Sequence, residues 1–109
     1  MPTWSTLPVG LEPVICLEDW AVIETESEFG QRHLLGMRTD TRDARISSNV
    51  KSFDLDTMSA VTSTGRQYRL VGPPGVTVDS AYLLRTWCDR WGVREVADVT
   101  AEYVRSVEQ

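Results

Sequence analysis

Lysine and arginine are missing from the first thirty residues, the whole chain has one histidine and one lysine, and cysteine occurs only at Cys16 and Cys88. Each shortage excludes something. With His33 alone, a Cys–His nucleophilic pair needs that residue to meet a distant thiol and a third group to orient the imidazole, and no spacing supports this. Zinc fails on the same ground, because two cysteines and one histidine share no paired ligand spacing. No metal and no cofactor are expected. The longest apolar runs, such as Trp20-Ala21-Val22-Ile23, fall far short of the about 20 residues that a bilayer demands. The opening stretch MPTWSTLPVGLEPVICLEDW has no basic start and no continuous apolar region, so no secretory signal is read there and a cytoplasmic location is expected. In that reducing setting the two cysteines read as small, buried, unpaired side chains.

What is present suits one domain. A chain of 109 residues can bury roughly 65% of its unfolded surface in a single core. Apolar residues at 41% and charged residues at 25% are ordinary for a globular protein. The net charge of −5 is unevenly spread. Six acids and no bases occupy residues 1–30, while residues 31–70 hold seven bases and four acids. The chain thus has an acidic head and a mildly basic middle.

Prolines at positions 2, 8 and 13, with Gly10, favour an extended segment over 1–17 that packs on the body through Trp4, Leu7, Val14 and Ile15. Aromatic and β-branched texture with polar punctuation then predicts strands over 19–26, 31–38, 45–53, 58–62 and 66–71, although Ser47-Ser48-Asn49 weakens the third. Five short strands at near-regular spacing describe an antiparallel meander. Asp79 is the expected N-cap of a helix over 79–91, in which Leu84, Trp87, Cys88 and Trp91 share one face that Tyr82 and Leu83 broaden, and Gly92 ends it. Thr100 caps a short final helix over 100–107. The fold class is α+β, with the main helix covering one side of the sheet.

The stretch STGRQYRLVGPPG, residues 63–75, resembles a phosphate loop only superficially. Such a loop needs free backbone donors before a helix, and Pro73-Pro74 removes them. The stretch reads instead as a strand with Tyr68 and Leu70 facing the core and a corner at Gly72–Gly75. Asp54 and Asp56 fit Asx turns better than an acid–base dyad or a calcium loop.

Two features point to binding. If the first strand continues to Glu28, then Glu24, Glu26 and Glu28 project from one face about 6.6–6.8 Å apart, with Glu18 and Asp19 nearby. Such a row suits a basic surface, and Phe29, Trp4 or Trp20 would anchor the contact. Conversely, Arg32, Arg38, Arg42, Arg45, Arg66 and Arg69, with Tyr68 as a stacking plane, could hold single-stranded nucleic acid. Interleaved Asp40, Asp43, Asp54 and Asp56 offer those arginines internal partners instead.

From TSTGRQYRLVGPPG to WCDRWGVREVADVT, the chain resembles small uncharacterised proteins of proteobacterial genomes and mobile elements. The likeness rests on Thr62, Gly65, Arg66, Tyr68, Leu70, Gly72, Pro74 and Gly75, then Asp98-Val99-Thr100. It implies no activity. In size and acidity the chain is also similar to phage-encoded inhibitors of bacterial defence, including anti-CRISPR proteins. The expectation is therefore a non-enzymatic protein-binding module that engages a larger basic protein or nucleoprotein complex through Glu18, Asp19, Glu24, Glu26, Glu28 and Phe29. No membrane partner is expected, and a homodimer through a sheet edge is a further expectation. The alternative is the single-stranded nucleic-acid-binding domain.

Overall fold

A computed structural model describes residues 14–26 and 31–104. Of the expected extended segment 1–17, residues 1–13 lie outside them, as do Glu28 and Phe29, while residues 14–17 belong to the first strand, which starts earlier than the expected 19. Among the described residues the chain forms β1 (Val14–Thr25), β2 (Arg32–Arg38), β3 (Ala44–Ile46), β4 (Val50–Asp54), β5 (Ser59–Thr62), β6 (Gln67–Pro74), α1 (Val78–Trp91), β7 (Val96–Asp98) and a 3-10 turn at Thr100–Tyr103. The α+β class holds. The purely antiparallel meander does not, because β1 and β6 pair in parallel, Val14 opposite Gln67 and Leu17 opposite Leu70.

Strand order is β3-β2-β1-β6-β5-β4, with β7 also on β1. The two ends of that order, β3 and β4, are joined by residues 47–49 alone. The sheet therefore curls round on itself like a barrel, and the single strand expected over 45–53 is divided between its two ends. Ser47–Asn49 makes this switch because its polar groups replace ladder bonds on both sides. The Ser47 hydroxyl accepts from Leu34 N–H at 2.8 Å, the Asn49 side-chain oxygen accepts from Arg32 N–H at 3.3 Å, and the Asn49 carbonyl accepts from Ser63 N–H at 2.8 Å. The residues that made a regular strand doubtful are the ones that build the corner.

Ile15, Leu17, Trp20, Val22, Leu34, Ala60, Tyr68 and Leu70 fill the interior, so Tyr68 and Leu70 stand where the alternation placed them. Strict alternation from Leu17 would put Asp19 inside. Instead Asp19 takes φ +46°, and the register of β1 shifts there against both β2 and β6. The extra residue is a bulge that keeps Leu17 and Trp20 on the same face. Trp20 is locked by its indole N–H donating to the Gly72 carbonyl at 3.0 Å. Opposite the bulge, a side chain at Gly36 would lie 3.2 Å from both the Glu18 carbonyl and Leu17 Cβ, which is why β2 carries no side chain there.

Past the bulge β6 leaves β1 at Pro74, and β7, which the sequence did not announce, takes its place opposite Ile23–Thr25. Pro73 and Pro74 prolong the strand rather than forming the corner. They do so where β6 is exposed and a missing donor costs little. The helix starts one residue before expectation. Its N-cap is Thr77, not Asp79: the Thr77 hydroxyl accepts from Ser80 N–H at 3.0 Å and Ser80 Oγ accepts from Thr77 N–H at 2.9 Å, a reciprocal capping box. Gly92 closes the helix at φ +69°. The helix expected over 100–107 is described only as the 3-10 turn at its start.

Candidate functional site

The bulge also decides where the acidic residues go. Glu18 precedes it and points outward, where it meets Arg42 Nη1 at 3.3 Å. Glu24 follows it on the face of Trp20 and Val22, and meets Arg32 Nε at 3.6 Å. That guanidinium also donates to Glu102 at 2.9 Å and to the Tyr103 hydroxyl at 2.6 Å, two bonds that raise its pKa further. Glu26 lies beyond the strand end. It accepts from the backbone N–H groups of Glu95 and Arg94, the latter at 2.7 Å, with Arg94 Nε at 3.5 Å. The Glu95 N–H first, then the Arg94 N–H and guanidinium, hold its carboxyl below the ordinary range. Asp19 stands alone on the bulge beside Gly75.

The row expected over Glu24, Glu26 and Glu28 required the strand to run on to Glu28, but β1 stops at Thr25 and Glu28 lies outside the described residues. Glu18, Glu24 and Glu26 each face an arginine of the same chain. A freely presented acidic ladder is not what these residues form.

Most of the arginines are equally committed, Arg69 being exposed without a bond among the described residues. Arg38 grips Asp40 at 2.8 Å, Arg45 donates from Nε to the Tyr68 hydroxyl at 2.9 Å, and Arg66 is buried. Tyr68 itself is 1% exposed and offers no ring face on which a base could stack. Asp54 accepts from Asp56 N–H at 2.9 Å, the Asx turn that was expected. His33 turns to the Ser47 carbonyl and Trp87. Cys16 and Cys88 are unpaired and half-buried rather than fully buried. Burial, reinforced by Asp89 and Glu26, pushes the Cys88 thiol up, so it stays protonated at neutral pH. Among the described residues no three potential ligands gather as a metal site.

What sequence reasoning missed is a groove of about 490 Å³ between α1 and the outer face of the sheet. It lies where α1 packs chiefly on β3 and β2, over floor residues of β1 that are themselves buried. Ala21, Ile23 and Leu35 form the floor; Ala81, Leu84 and Cys88 form the helix wall; Val93 and Val96 form the opposite wall, with Val76 at one end. Small residues on facing sides, Ala21 and Ala81, keep it open. Arg85, Asp89, Arg94 and Asp98 supply charge at its sides. The helical stripe contained part of this signal, since Leu84 and Cys88 belong to it. Tyr82, read as part of that stripe, points away at 67% exposed, and Trp91 overshoots the sheet at 65% exposed under the Arg90 guanidinium. The floor could not be anticipated, because Ala21 and Ile23 face α1 only after the bulge.

No helix among the described residues is long and apolar enough to cross a membrane. Compared with protein-family models, with curated proteins and with solved structures, the chain matches none.

Proposed function

We propose that this chain is a protein-binding module whose contact site is the groove between α1, β1 and β7. The observation that carries the reading is the groove's construction: an apolar floor and walls with charged groups confined to its sides, in a volume typical of ligand-sized sites. Buried apolar anchors dominate the affinity of most protein contacts, and charge at their border sets orientation and rate. The acidic head contributes in a reduced role, since three of its carboxylates already serve to hold the chain's own arginines. The likeness to inhibitors of bacterial defence rested on size and charge and assigns no residue, so it adds nothing to the groove. Nucleic-acid binding is the weaker reading, because Tyr68 is enclosed and Arg38, Arg42 and Arg45 are engaged internally.

Panning the protein against a displayed random-peptide library tests this reading. Peptides enriched by the wild type and lost with Ala81→Arg, which fills the groove, are the expected result. Enrichment that Ala81→Arg leaves untouched would place the contact elsewhere.

A further inference from the structure

The outer face of β6, β5 and β4 lies away from α1, which packs chiefly on β3 and β2. Strand register fixes what that face presents. Gln67 stands between Val14 and Val61, with Ser52 beyond, and one row on Arg69 stands between Cys16 and Ser59, with Asp54 beyond. Val71, next to Glu18, begins the following row. Val61 and Val71 are 39% and 45% exposed, so this face is not sealed by any described element. Arg69 and Asp54 are both exposed and have no ion-pair partner among the described residues. They flank Ser59 on either side of β5, which two strand spacings put about 10 Å apart. The face thus carries a cation on one side of β5, an anion on the other and an apolar side chain, Val61, on β5 itself. The free sheet edges among the described residues are blunt by comparison. β3 and β7 have three residues each, β4 is broken by a register shift beside Lys51, and β6 past Leu70 carries Pro73 and Pro74.

We infer that a second copy of the chain docks on this face, in a two-fold dimer whose axis lies along β5. Rotation about β5 exchanges its two flanks, so β6 of each copy lies over β4 of the other while β5 lies over β5. Arg69 of one copy then faces Asp54 of the other, and the symmetry makes this contact twice. Gln67 faces Ser52, and Val61 meets its own counterpart on the axis. One row on, Val71 of each copy comes over the hairpin tip of the other, where Leu55 is exposed. Aligned strands are the ordinary stacking of two sheets, about 10 Å apart. The contact is isologous, and balanced charge, which would suit no partner of a single sign, is what self-pairing requires. The dimer leaves both grooves open, because α1 stands over β2 and β3.

Sedimentation velocity over a range of protein concentrations at low salt decides the inference. The wild type is expected to approach twice the 12.3 kDa chain mass as concentration rises, and the dimer should weaken with added salt. Arg69→Asp and Asp54→Arg each set like charges opposite one another at two symmetry-related contacts. Each should therefore raise the dimer dissociation constant about 10-fold or more. The double variant Arg69→Asp/Asp54→Arg restores opposite charges and should recover the dimer, a result that misfolding cannot produce. Val61→Glu places two carboxylates together on the axis and should give a monomer with the circular dichroism of the wild type. A wild type that stays monomeric at every concentration overturns the inference. A dimer that Arg69→Asp and Val61→Glu leave intact overturns it too, because the contact then lies elsewhere. A double variant that stays monomeric overturns the pairing of Arg69 with Asp54. Panning decides the groove reading separately.

Discussion

His33 meets Trp87 edge-on, with ring centroids 5.0 Å apart, while its Nδ1 lies 2.9 Å from the Ser47 carbonyl oxygen. A carbonyl only accepts, so Nδ1 carries the proton, and one imidazole ties β2 to α1 and to the corner where β3 becomes β4. Burial lowers the pKa of His33 from its ordinary 6.5, and the bond to Ser47 opposes that shift only in part.

The sign of the pH effect follows. Below the ordinary value the unfolded chain takes up a proton that the folded chain resists, so stability is full above about pH 6.5 and declines as pH falls towards the folded pKa. Because His33 is the only histidine, the window between about pH 6.5 and pH 5 belongs to it. Thermal melts should show a falling midpoint across that window, with a slope of at most about 1.4 kcal/mol per pH unit. His33→Gln should be less stable at neutral pH and nearly flat across the same range. A variant that keeps the wild-type slope would disprove the assignment.

The bulge makes a sharper test. Deleting Asp19 slips β1 by one residue from Trp20 onward and sends Trp20 and Val22 to the outer face. The deletion protein should show no cooperative urea transition by tryptophan fluorescence. Asp19→Gly keeps the extra residue and suits φ +46°, so its stability should lie within about 1 kcal/mol of the wild type. A deletion protein that unfolds like its parent would mean that the bulge does not set the register.

Capping separates two neighbouring residues. Thr77→Ala removes the hydroxyl that satisfies Ser80 N–H and should lower stability by about 1 kcal/mol. Asp79→Ala loses only a first-turn charge, worth about 0.3–1 kcal/mol at low salt and less as salt rises. Denaturation of the two proteins at low and high salt distinguishes them: the Thr77 loss should be insensitive to salt. Equal, salt-sensitive losses would return the cap to Asp79.

Sequence alone determined the elements whose signal is local. β-branched runs, a helical apolar stripe and glycine at its end placed β2, β6, α1 and Gly92, and alternation placed Tyr68 and Leu70 inside, because each depends on residues within a few positions of one another. The tertiary structure decided what depends on distant pairing. Asp19 reads as one more acid until two neighbouring strands force it into a bulge, and that single residue then sends Glu18 and Glu24 to opposite faces. Val96–Asp98 is too short to signal a strand, and becomes one only because β1 has an open edge past Pro74. The groove is a consequence of both: it lies beside α1, which packs chiefly on β3 and β2, where the shifted alternation turns Ala21 and Ile23 outward, a juxtaposition of segments over fifty residues apart that no local pattern encodes.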